Sequence, residues 1–165
     1  MTGASRRGPW SLVGEDATTA FGAAAARALP AEAAAPFVVL LGGDLGAGKT
    51  TFARGLLRAM GVTRPVRSPS YGLLELYEAS GWQVLHLDLY RLHDPEELEN
   101  LGLRDYHVGR TLWLVEWPER GEGHLPPPDL RLVFVPGVDV HRVEAVASSP
   151  AGEAFLVRLN PEAGS

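Results

Sequence analysis

Phe37-Val38-Val39-Leu40-Leu41-Gly42-Gly43-Asp44-Leu45-Gly46-Ala47-Gly48-Lys49-Thr50-Thr51-Phe52 is the stretch that decides the fold of this chain. Residues 37–41 are a continuous apolar run, β-branched in part, which is how a strand buried on both faces reads. Gly43 to Thr50 match G-x-x-x-x-G-K-[ST], a glycine loop whose backbone N–H groups cradle phosphates. From Thr50 to Met60, Phe52, Leu56, Leu57 and Met60 recur at helical spacing, and Gly61 supplies a left-handed stop. Strand, glycine loop and helix follow in the order the motif requires. Loop amides and helix N-terminus then offer partial positive charge to a phosphate. Thr50 stands where its hydroxyl can reach Mg²⁺.

Lys49 is the only lysine of the chain; the other fourteen basic side chains are arginines. An ammonium is a compact point charge on a flexible stem and fits between two phosphates, where a planar guanidinium is too wide. A composition that otherwise avoids lysine keeps one at that position. The stretch predicts a binder of a nucleoside triphosphate.

The 165 residues, 45% of them hydrophobic, suit one domain with a real core. With no cysteine there are no disulfides, thiolate metal sites or cysteine nucleophiles. No apolar stretch approaches a membrane span. Arg6-Arg7 is followed by Gly8-Pro9-Trp10-Ser11 and then acidic Glu15-Asp16, not by the apolar core of a secretion signal. Together these point to a cytoplasmic protein. The net charge of −5 argues against independent nucleic-acid binding, which takes a basic face. The one basic cluster, Arg54, Arg58, Arg64 and Arg67, reads equally as a solvated face or a partner-docking patch.

The rest of the chain reads as one mixed α/β domain spanning residues 1–165. Its motifs fall within 16–147, with residues 1–9 and the C-terminal end left free to be flexible. A helix over Ala17–Leu29, capped by Asp16 or Thr18 and closed by Pro30, precedes a Pro/Ala linker over residues 30–36. After the loop Arg67-Ser68-Pro69-Ser70-Tyr71, strands over Leu73–Tyr77 and Trp82–Leu87 flank a turn at Ala79-Ser80-Gly81. Asp94-Pro95-Glu96-Glu97 is a helix start, and Gly102 ends that helix. Thr111–Val115 is a buried strand, and Leu125-Pro126-Pro127-Pro128 a rigid loop. Leu130–Val135 and Val140–Ala147 form a hairpin around Pro136-Gly137, and Glu153–Leu159 a short closing helix.

A nucleoside triphosphatase needs a carboxylate at the end of a buried strand beside the phosphate loop. Asp88, after Val84-Leu85-His86-Leu87, and Glu116, after Leu112-Trp113-Leu114-Val115, both qualify. One would serve the metal and the other orient or deprotonate the attacking water; spacing does not assign the two roles. His86 reads as a strand residue and His93 as a solvated one, because Mg²⁺ prefers oxygen ligands and no zinc spacing is present. Trp117 suits core packing and a stacking surface by the nucleotide equally well.

Four blocks in this order resemble the TsaE family, the bacterial ATPases required to form threonylcarbamoyladenosine in tRNA. They are Gly43 to Phe52, Ser68-Pro69-Ser70-Tyr71, His86-Leu87-Asp88-Leu89-Tyr90-Arg91-Leu92 and Glu116-Trp117-Pro118. The resemblance covers most of residues 16–147. It implies a single P-loop NTPase-like domain with a central mixed β-sheet flanked by helices. It also implies ATP and Mg²⁺ as cofactors and hydrolysis in the service of a TsaB–TsaD complex. By the same resemblance, Gly46, Ala47, Gly48, Lys49, Thr50 and Thr51 wrap the phosphates, and Thr50 and Glu116 hold Mg²⁺. Lys49, Asp88 and Glu116 form the catalytic set, and Ser68–Tyr71 acts as a switch over the γ-phosphate. Ser70 departs from the family's usual threonine while keeping the hydroxyl.

A small-molecule kinase would share the phosphate loop and the size. Against it, no arginine-rich lid segment follows the loop, and Arg104, Arg110 and Arg120 are scattered in sequence. A GTP switch reading guanine through N-K-x-D is excluded, since the sole lysine is already used.

Overall fold

Among the described residues, seven strands make one mixed sheet in the order β1-β7-β6-β2-β5-β4-β3. The protein is seen here as a computed structural model that describes residues 4–69 and 71–162. The strands are β1 (Ser5–Val13), β2 (Phe37–Gly42), β3 (Leu74–Ala79), β4 (Trp82–Asp88), β5 (Thr111–Glu116), β6 (Leu130–Val135) and β7 (Val140–Ala147). The α-helices are α1 (Gly14–Ala28), α2 (Lys49–Ala59) and α3 (Pro150–Arg158). β6, β2, β5 and β4 run parallel, while β3 at one side and β7 with β1 at the other pair antiparallel.

The central strands bury both faces, so their alternation sorts the core into two layers. Phe37, Val39 and Leu41 of β2 and Leu112 and Leu114 of β5 pack with Phe21, Phe52, Leu56, Leu57 and Phe155 of the three α-helices. Val38, Leu40, Trp113 and Val115 face the other way, against Leu89, Leu92, Leu98 and Leu103. That second layer is covered by 3₁₀ segments, Pro95–Leu101 and Leu103–Tyr106. The expected start holds there, with Asp94 accepting from Glu96 N at 3.0 Å and Gly102 left-handed, but the turns are 3₁₀ and not α.

Residues 1–9, expected to be flexible, are from Ser5 onward part of edge strand β1, paired with β7; residues 1–3 lie outside the described residues. The first helix starts at Gly14 and not at Ala17, because β1 passes straight into it. Neither Asp16 nor Thr18 caps it, and Thr18 instead donates back to Gly14 O at 3.5 Å. The last helix starts at Pro150 and not at Glu153, with Ser149 as the cap accepting from Gly152 N at 3.0 Å.

An aromatic file fixes the helices onto the sheet. Trp10, Phe21, Phe52 and Phe134 follow one another at 5.2, 5.8 and 5.6 Å between centroids, linking β1, α1, α2 and β6. Each such tilted pair adds roughly 0.5–1.5 kcal/mol to the burial of its area. Through Phe52 this packing sets the position of α2, and therefore of Lys49 and Thr50 at its start.

Candidate functional site

The parallel strands β2, β5 and β4 all end at the same edge of the sheet, the usual place for a ligand crevice in an α/β fold. Beyond β2 the chain turns at Gly43 (φ 129) and enters α2 from Gly48 (φ 104), both conformations closed to ordinary side chains. Gly43 is further constrained because a Cβ there would lie 2.2 Å from Phe134 O. α2 has no side-chain cap and no acidic residue in its first turn, so its leading amides remain available to an anion.

A cleft of about 730 Å³ opens at this edge. Gly46, Ala47, Gly48, Lys49, Thr50 and Thr51 line it together with Ser68, Asp88, Glu116 and Trp117. All the side chains singled out from sequence as catalytic, phosphate-binding or metal-holding therefore meet at one cavity. Ser70 lies outside the described residues, so its replacement of the family's threonine is not placed.

Asp88 and Glu116 are register partners at the ends of β4 and β5, and both are buried. Glu116 Oε1 accepts from Thr50 Oγ1 at 2.9 Å, and its Oε2 lies 2.7 Å from His86 Nε2. Asp88 Oδ2 accepts from Ser68 Oγ, and Oδ1 from Tyr90 N at 3.0 Å. Each carboxylate thus has both oxygens held. Asp88 is fastened to the loop before β3, Glu116 to the phosphate loop.

Lys49 donates to Gly43 O and lies over the ring of Trp117, 3.7 Å from its centroid. Burial pushes its pKa below the ordinary lysine value, with Glu116, Glu119, Asp88 and Asp44 pulling the other way. Of the two roles open to Trp117, the structure puts its ring at the cleft wall, against Lys49 and Tyr90. His86 is the strand residue expected, fully buried, and His93 is exposed.

The far wall of the cleft was missed from sequence. Gly14, Glu15 and Thr18 come from the β1–α1 junction, and Val138, Asp139 and His141 from the β6–β7 hairpin. No local pattern marks them; only the sheet order brings them there. Arg91 also lines the cleft, and Arg120, read as scattered, lies 5.2 Å from Tyr90 and 5.8 Å from Trp117. Arg104 pairs with Glu99 and Arg110 lies over Trp82, both outside this cleft. In the basic cluster, Arg54 contacts Glu15 and Val66 O, and Arg64 pairs with Glu75, while Arg58 and Arg67 are exposed.

A parallel-centred sheet with a glycine phosphate loop between β2 and α2 defines a protein of the P-loop class. The sequence model of one family, described as Threonylcarbamoyl adenosine biosynthesis protein TsaE, matches residues 12–143. The chain belongs to the TsaE family. It is similar to the tRNA threonylcarbamoyladenosine biosynthesis protein TsaE of Haemophilus influenzae, 45% identical over 119 residues, 72% of this chain and 75% of that one. The protein of the same name from Bacillus subtilis is 42% identical over 97 residues, 59% of this chain and 60% of that one. The crystal structure of Bacillus subtilis YdiB superposes with a TM-score of 0.77 at 29% identity, covering 96% of this chain and 97% of that chain.

Proposed function

We propose that this protein binds and hydrolyses ATP with Mg²⁺ to support threonylcarbamoyladenosine formation in tRNA, acting with a TsaB–TsaD complex. The observation that carries the reading is the meeting of Lys49, Thr50, Asp88 and Glu116 at one cleft beside the loop amides. The names of the relatives supply the pathway.

The donor set suits Mg²⁺. Thr50 and Glu116 offer oxygens only, and no group of three or more His, Asp or Glu among the described residues forms a cage of its own. Mg²⁺ is ordinarily held by one or two protein oxygens, completed by phosphates and water. When bound it would neutralise charge on the β- and γ-oxygens. Lys49 binds the phosphates and offsets charge growing on them, while the amides of residues 46–51 hold them in place. Asp88 orients the attacking water and takes its proton. Ser68, bonded to Asp88, links that carboxylate to the loop before β3.

The kinase reading calls for a phosphate-clamping lid that the sequence does not supply, and Arg91 is the only arginine lining the cleft among the described residues. ATP turnover measured with and without TsaB–TsaD separates the two. Stimulation by the protein pair is expected, and stimulation only by a small-molecule acceptor would favour the kinase.

A further inference from the structure

His86 is fully buried in β4, two residues before Asp88 and therefore on the same side of the strand. Its sequence neighbours on that side, Trp82 and Val84, join the apolar core, as does its register partner Leu114. Packing alone would be served there by leucine. Among the described residues the imidazole has one polar contact, Nε2 to Glu116 Oε2 at 2.7 Å, and Nδ1 has no hydrogen-bond partner. A carboxylate accepts, so Nε2 carries the hydrogen and donates.

We propose that His86 is a positioning residue for Glu116. Its Nε2–H holds Oε2 and so fixes the rotation of the carboxylate, leaving Oε1 turned toward Thr50, which donates to it at 2.9 Å. Without that bond the carboxyl group would keep a single tether and could rotate away from the threonine. Groups that orient a metal-holding carboxylate matter for affinity: their loss costs ~10–100-fold in metal binding. The inference rests on the reading of Glu116 as a Mg²⁺ residue, and the experiment keeps the two apart.

Nucleotide binding is titrated with Mg²⁺ for the native protein, His86→Leu, His86→Gln and Glu116→Gln. The expected result is that His86→Leu needs at least ~10-fold more Mg²⁺ for half-maximal tightening of binding, while its affinity without Mg²⁺ is unchanged. His86→Gln, whose amide N–H can reach the same oxygen, should recover most of the loss. A normal Mg²⁺ requirement in His86→Leu, with Glu116→Gln raised, overturns the role of His86 alone. A normal requirement in Glu116→Gln overturns the reading of Glu116. Nitrogen-15 NMR of the native protein decides the matter even where His86→Leu does not fold. The Nε2–H tautomer is expected at His86, and a proton on Nδ1 alone would overturn the proposal.

Discussion

Trp117 holds its ring 3.7 Å from the Lys49 ammonium, and it does so from a left-handed backbone (φ 58, ψ 51) directly after Glu116. A non-glycine residue in that region costs roughly 1–3 kcal/mol, so the surrounding structure must hold it there. Tyr90 packs on the indole at 5.0 Å, and Pro118 opens the next turn. The arrangement ties the end of β5 to the phosphate loop through the one lysine of the chain.

Replacing that lysine tests its role directly. Lys49→Ala is expected to abolish ATP hydrolysis and weaken nucleotide binding, since the charge it places against the phosphates is lost. The melt followed by circular dichroism should be unchanged or slightly raised, because burial already disfavours the ammonium. Near-native turnover would remove the phosphate-loop assignment.

The same burial sets a pH dependence with a definite sign. The folded Lys49 pKa lies below the unfolded value of about 10.4. Below both values the folded state carries the full penalty of the buried charge. Stability therefore rises as pH climbs through the folded pKa and levels off above the unfolded one. Nucleotide binding runs the other way. Phosphate oxygens favour the ammonium, so binding takes up a proton and weakens as pH rises through the pKa of the free site. Calorimetry at alkaline pH, in the range where the free lysine titrates, in two buffers of different ionisation enthalpy should show that uptake in the native protein and none in Lys49→Ala. Proton release on binding would contradict the reversed sign.

β2, the phosphate loop and α2 were legible because each obeys a local rule: an unbroken apolar run, glycines at positive φ, and helical spacing. Asp88 and Glu116 were legible for the same reason, as strand-end carboxylates. β1 was not, since most of Ser5–Val13 is exposed and contains Gly8-Pro9, a turn signal that outweighs its strand pattern. The far wall of the cleft and the His86–Glu116 bond depend on which strands become neighbours, and no window of sequence carries that.

The closeness of α1 to α2 is another such tertiary fact. A Cβ on Gly22 would come within 2.3 Å of Phe52 O, and one on Gly55 within 2.3 Å of Thr19 O. Both obstacles are backbone, so the helices would have to separate. Gly22→Ala and Gly55→Ala are each expected to cost about 1–3 kcal/mol. For a chain of this size that is a fall in Tm of roughly 3–10 °C. Because Lys49 and Thr50 begin α2, nucleotide affinity should fall as well. An unchanged melt in either variant would mean that the helices stand further apart.

The two strand-end carboxylates should separate in a magnesium titration. Glu116→Ala is expected to raise the Mg²⁺ concentration needed for nucleotide binding, because Glu116 bonds to Thr50, the other oxygen donor. Asp88→Ala should stop hydrolysis with that requirement largely intact, since Asp88 is fastened to Ser68 and Tyr90 instead. The reverse order would exchange their roles.

The isolated protein is expected to hydrolyse ATP slowly, because positioned phosphates still need a fixed loop to place the attacking water. The loop before β3 touches the site through Ser68 and Asp88, while Tyr71 is exposed and lies against Arg91 at 4.4 Å. A docked TsaB–TsaD complex would press Ser68 and Asp88 into the geometry that places the water. The complex should then bind more tightly with ATP than with ADP, since only a γ-phosphate can draw the loop closed. Of the basic cluster, Arg54 and Arg64 are engaged with Glu15 and Glu75, which leaves Arg58 and Arg67 as the exposed charges offered to a partner. Arg58→Glu with Arg67→Glu should weaken capture of the complex at least ~10-fold and flatten its salt dependence, with basal turnover unchanged. Calorimetry with each nucleotide measures both effects. Equal affinity in the two nucleotide states would defeat the switch, and undiminished affinity in the double variant would move the interface off this face.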